Sequence, residues 1–135
     1  MLSPSSGKNR LFNVLKAYTA YDPQVGYCQG MNFIASMLLR VIPDQEDAFW
    51  AFVFLMFERD WRTLFSDETK KVTYLLKDLD AYLKINCRSV YRHVQRDEFA
   101  SWEASFASQL ITLFICDYEF MYAQRVMDLF MLEGE

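Results

Sequence analysis

Leu11, Val14, Leu15 and Tyr18 recur at i, i+3, i+4 and i+7, the spacing that lays one apolar stripe along a helix. Asp22-Pro23 ends that helix, because proline pushes the residue before it out of the helical region. A short loop at Gln24-Val25-Gly26 leads to a second helix with the stripe Met31, Ile34, Ala35, Leu38, Val41 and Ile42, stopped by Pro43. Asp44 stands where it can cap the next helix, and Glu46 and Asp47 favour its positive end. That third helix, Ala48 to Phe57, is apolar on every side, which predicts that other helices enclose it. Glu58-Arg59-Asp60 closes it, and a turn near Trp61 to Ser66 follows.

Val72, Leu75, Leu76, Leu79, Tyr82 and Leu83 form one face of an amphipathic helix, with Lys71, Lys77, Asp78, Asp80 and Lys84 off it. Cys87, Val90, Tyr91 and Val94 mark a shorter helix. Trp102 to Ile115 and Tyr118 to Leu132 predict two more, the last ended by Gly134. No alternating strand pattern, internal repeat or sustained heptad occurs. The pattern predicts an all-α fold, a compact multi-helix array. Residues 1–8 read as a polar flexible tail and residues 9–135 as a single domain.

Composition narrows the class. Apolar residues make up 53% and aromatics 17%, which excludes a disordered chain and is rich for a domain of this size. A net charge of −4 argues against general nucleic-acid binding. Cys28, Cys87 and Cys116 are odd in number and widely spaced, which predicts reduced cytosolic thiols and no metal site. The first residues are polar, unlike a signal peptide. The longest apolar run, at ten residues, is far below the roughly eighteen a membrane span needs.

Candidate chemistry is sparse. The one histidine, His93, reads as a surface or helix-end residue, and no Walker loop, H-E-x-x-H or G-x-S-x-G is present. Arg88, Arg92 and Arg96 form one positive helix edge, read first as a solvated face. The other reading is a contact strip for an acidic partner or anionic lipid. One segment stands out: Gly26-Tyr27-Cys28-Gln29-Gly30-Met31-Asn32 brackets a Tyr-x-Gln with two glycines at the start of a helix. On that helix Gln29 would lie roughly 200° from core-facing Met31 and so point outward. Gly30 would let another molecule's backbone approach. A glutamine amide both donates and accepts, so it can orient a water; an exposed residue or a helix-end bond is the plainer reading.

The stretch Tyr21-Asp22-Pro23-Gln24-Val25-Gly26-Tyr27-Cys28-Gln29-Gly30-Met31-Asn32 resembles the second signature of the TBC family, a Y-x-Q-G core after a turn. Ser108-Gln109-Leu110-Ile111-Thr112-Leu113-Phe114 is similar to that family's third signature, S-x-W-F-x-T-L-F. Arg125-Val126-Met127-Asp128 with Glu133-Gly134 is similar to its R-[IV]-W-D … E-G ending. The resemblance implies an all-α domain that accelerates GTP hydrolysis on Rab-type GTPases with two side chains supplied in trans. Gln29 would position the attacking water. Tyr27 and Gly30 would shape the loop toward the partner, with Met31 and Asn32 opening the supporting helix. It implies no cofactor in this chain, since GTP and Mg²⁺ belong to the partner. It also implies a cytoplasmic location, on vesicle or organelle membranes only indirectly, through the lipid-anchored GTPase.

Three departures qualify that picture. The family's first signature, I-x-x-D-x-x-R, carries its arginine finger, and no such pattern occurs in the sequence. Arg10, the one arginine before Gln29, matches the segment leading into the turn rather than the finger. Family members also continue past the position of Glu135, so the expected fold is an incomplete TBC-type helical domain. Leu110 and Met127 stand where tryptophans are usual and read as core substitutions. A finger is worth on the order of 10³ to 10⁵ in rate, roughly 4 to 7 kcal/mol. The alternative expectation is therefore a catalytically impaired Rab-binding or scaffold module.

Overall fold

The computed structural model describes residues 4–66, 70–96 and 102–134. Among them eight helices follow in order: α1 (Pro4–Tyr21), α2 (Met31–Val41), α3 (Gln45–Phe57), α4 (Thr63–Ser66), α5 (Lys70–Asn86), α6 (Arg88–Gln95), α7 (Trp102–Ile111) and α8 (Phe120–Glu133). No strand occurs among the described residues, and the fold is all-α. None of these helices is long and apolar enough to cross a membrane. α1 begins before its apolar stripe. Residues 4–8, read from the sequence as tail, form its first turns, and a proline suits that start because its missing N–H lacks a helical partner there anyway.

α1, α2 and α3 pack on one another and hold the centre of the core. Tyr18, Met31, Ile34, Phe52, Leu55 and Met56 are fully buried, and the Tyr18 ring meets Phe52 edge to face at 4.9 Å. The α2 stripe holds through Met31, Ile34, Ala35 and Leu38, but Val41 is exposed and Met37 buried in addition. Asp44 caps α3 as expected: its carboxylate accepts from the Glu46 N–H at 2.8 Å and the Asp47 N–H at 3.1 Å. α3 is not enclosed on all sides. Trp50 and Phe57 are about half exposed, at 51% and 45%, where α1 and α2 leave off. Their rings instead cluster on Tyr21, edge to face at 6.0 and 5.9 Å.

Two long-range ties join the second half to the first. Arg59, just past α3, donates to the carbonyls of Met131 (2.9 Å) and Leu132 (3.1 Å) at the end of α8. Buried Trp61 donates its indole N–H to the Ile111 carbonyl at 3.3 Å and meets the Phe130 ring edge to face at 4.6 Å. That indole bond helps explain why α7 stops at Ile111 and not at Ile115, as the pattern predicted. The Ile111 carbonyl turns to Trp61, the Ile115 N–H to Thr112, and Leu113 and Phe114 exit left-handed at φ 50° and 63°. α8 ends at Gly134, φ 86°, whose N–H bonds the Phe130 carbonyl. α5 packs on α7 and α6. Only Val72 and Leu76 of its stripe are buried, while Tyr82 is exposed. Met127 is buried and Leu110 packs against the core.

Candidate functional site

The segment between α1 and α2 is a turn organised by one buried carboxylate. Asp22 follows the last residue of α1 and is 5% exposed. Its carboxylate accepts from the Tyr18 hydroxyl at 3.0 Å. Arg62 grips it with both arms of the guanidinium, Nε at 2.7 Å and Nη2 at 2.9 Å. The same Nη2 reaches the Gln24 side-chain carbonyl at 3.2 Å. The Asp22 backbone carbonyl takes the Gly26 N–H at 2.8 Å, and Gly26 turns the chain at φ 65°, a conformation glycine adopts without strain. Arg62 holds the Asp22 carboxyl below the usual carboxylate range; burial opposes this, and the Tyr18 hydroxyl and Val25 N–H reinforce it. Burial, then the Asp22 bond, pushes the Tyr18 phenol up, so it stays a neutral donor.

Beyond Gly26 the turn carries Tyr27, Cys28 and Gln29. Cys28 is half-buried, its N–H toward the Met31 sulfur at 3.3 Å, and burial raises its thiol, which keeps it protonated. Tyr27 is exposed and its hydroxyl approaches the Asn32 side-chain carbonyl at 3.4 Å. Gln29 is exposed, and no described residue hydrogen-bonds its amide. It sits in the turn, ahead of the α2 cap at Gly30, so it is not a helical residue. Its outward direction comes from the turn and not from the 200° helical offset expected.

Gly30 corrects a second expectation. It is buried, at φ 106°, and a Cβ there would lie 2.9 Å from Ile111 Cγ2 and 3.7 Å from Thr112 Cγ2. The close approach that its missing side chain permits is taken by the end of α7 in this same chain. Two segments about eighty residues apart, Gly26–Asn32 and Ser108–Phe114, therefore meet at Gly30. Met31 is fully buried as well. Gly30 and Met31 fasten the turn from inside, whereas Tyr27, Gln29 and half-buried Asn32 present outward. Beside them Phe12, Leu15, Lys16, Thr19 and Ala20 of α1 form, with Tyr27, an open and mainly apolar groove of about 580 Å³.

The sequence pointed to Gln29 but not to the Tyr18–Asp22–Arg62 network beneath it. Asp22 served only as a helix stop, and nothing local marks Arg62, forty residues on, as its partner. Arg62 is held by Asp22, and Arg10 donates to the Pro43 carbonyl.

A family model described as the Rab-GTPase-TBC domain matches residues 2–135. The chain is 36% identical over 131 residues to the Ecotropic viral integration site 5 protein homolog of Homo sapiens, across 96% of this chain and 16% of that protein. It is 36% identical over 129 residues to the Rab GTPase-activating protein eat-17 of Caenorhabditis elegans, across 95% and 14%. With the GTPase-activating protein GYP5 of Eremothecium gossypii it shares 33% over 132 residues, across 97% and 16%. It spans 16% or less of the length of each of these relatives.

Proposed function

The chain belongs to the Rab-GTPase-TBC domain family, and from that membership we propose that it is part of a GTPase-activating domain for Rab-type GTPases in which Gln29 positions the hydrolytic water. One observation carries the role of Gln29. It is an exposed amide with no bond to any described residue, on a turn pinned by Asp22–Arg62 at one end and by Gly30 against Ile111 at the other. A side chain so presented has its donors and acceptor free for a water on a partner, and its backbone does not need to reorganise. GTP and Mg²⁺ arrive with that partner, and the in-line attack takes place on its nucleotide. Tyr27 and the α1 groove supply apolar surface beside the amide, and Asn32 braces Tyr27. The location that follows is the cytoplasmic side of membranes bearing the lipid-anchored GTPase.

A second reading is favoured by one feature: Arg62, the arginine beneath the turn, is held in both arms by buried Asp22. On that reading the chain binds a Rab without stimulating it. Single-turnover phosphate release from a panel of GTP-loaded Rabs separates the two, with wild type and Gln29→Ala both checked for helicity. Stimulation that drops tenfold or more in the variant, an effect of roughly 1.4 kcal/mol on the barrier, supports the water-positioning role. Rab binding without stimulation selects the second reading. If a folded chain neither binds nor stimulates any Rab, both readings fail.

A further inference from the structure

α6 is a helix with little local reason to form. Its N-cap, Cys87, makes no side-chain capping bond. Arg88 puts a cation at the positive end of the helix dipole. Arg88, Arg92 and Arg96 then repeat at i, i+4 and i+8, where like charges oppose one another. All three are exposed, and no described carboxylate pairs with them. α6 packs on α5 and buries none of its residues.

The surrounding charge is one-sided. Between Asp80 and Asp97 the sequence has Lys84, Arg88, Arg92 and Arg96 and no carboxylate, in a chain whose net charge is −4. A merely solvated face mixes signs, as Lys77, Asp78 and Asp80 do along α5. Exposed apolar side chains precede the cations: Tyr82 and Ile85, near the end of α5, are 60% and 67% exposed. Cations in a row of about 6 Å steps, with an exposed tyrosine and isoleucine on the helix just before them, match a bilayer surface, where headgroup phosphates overlie the edge of the hydrocarbon. An acidic protein surface would account for the arginines alone, and the exposed Tyr82 and Ile85 favour the bilayer. We infer that the α5–α6 corner is a docking surface for an anionic lipid membrane. This contact is direct, separate from any membrane link through a bound GTPase, and does not depend on Gln29.

Co-sedimentation of the chain with vesicles of equimolar phosphatidylserine and phosphatidylcholine tests it, against pure phosphatidylcholine vesicles and soluble polyglutamate. The expected result is binding to the anionic vesicles alone, weakened on the order of a hundredfold in Arg88→Gln/Arg92→Gln/Arg96→Gln, at about fivefold per cation. That variant relieves like-charge repulsion, so its melting temperature should hold. A second variant, Lys8→Gln/Lys16→Gln/Lys77→Gln, makes the same change in net charge on other exposed positions and should bind nearly as wild type. Equal weakening in both variants, equal binding to neutral vesicles, or no binding at all would overturn the inference. So would arginine-dependent capture by polyglutamate without vesicle binding, which would identify an acidic protein surface instead.

Discussion

Replacing Arg62 with alanine strips two charge-assisted hydrogen bonds from a carboxylate that is 5% exposed. Breaking a fully buried pair by removing one partner costs about 3–5 kcal/mol, because the other charge is left without compensation. Arg62 itself is 23% exposed, so water already screens part of its attraction, and Tyr18 and the Val25 N–H stay on Asp22. These two facts place the loss at the low end, about 3 kcal/mol. For a chain of this length that is about a 10 °C fall in melting temperature. Arg62→Lys keeps the charge without the planar fork and should recover about half of the loss.

The pH dependence follows from the direction of the Asp22 shift. Its carboxyl is lowered in the folded state, so its contribution is complete above the unfolded value of about 3.9. The contribution disappears as pH falls from there through the lowered folded value. Urea melts followed by circular dichroism at pH 7 and across the acid range measure both effects. Arg62→Ala removes the largest cause of the shift and should flatten the acid limb. A loss at pH 7 below about 1 kcal/mol, or an acid limb unchanged in the variant, would refute the claim that this pair fastens the turn.

Gly30→Ala should destabilise by about 2–4 kcal/mol, because φ 106° strains any L-residue and the new methyl meets Ile111 Cγ2. Adding Ile111→Ala removes the clash but not the strain, so a double-mutant cycle in urea should recover only part of the loss; full recovery would mean that strain is unimportant. Asp44→Ala should cost about 1 kcal/mol by releasing the Glu46 and Asp47 N–H groups at the start of α3, and a melt indistinguishable from wild type would contradict the cap.

What could be read in advance follows the range of each interaction. The Met31–Leu38 stripe, the Asp44 cap and the Gly134 stop are local, set within about one helical turn, and all three hold. Periodicity carries α7 four residues past its end, because that end also involves the indole of Trp61 and left-handed Leu113 and Phe114, none of which periodicity encodes. The sequence offers Gly30 to another molecule's backbone, since it can show that a Cβ is missing but not which segment fills the space. The apolar run of α3 predicts more enclosure than the fold provides, for a related reason. Apolar residues all round a helix state a demand for neighbours, which α1 and α2 meet for the most part, while Trp50 and Phe57 stay half exposed.

The Asp22–Arg62 pair also bears on the source of transition-state charge compensation in the proposed mechanism. To act as the missing finger, Arg62 would have to leave Asp22, and the carboxylate would remain buried with only Tyr18 and the Val25 N–H. At about 3 kcal/mol, that release would consume nearly half or more of the roughly 4 to 7 kcal/mol a finger supplies. The release would also loosen the turn that presents Gln29. Water positioning and charge neutralisation therefore make competing demands on this arginine, and the geometry commits it to the first. An arginine for the second has to come from another position, and adding one in trans should raise the rate without altering its dependence on Gln29 or on the pH of the Asp22 pair. If supplied arginine made the rate independent of Gln29, the division of labour argued for the turn would be wrong.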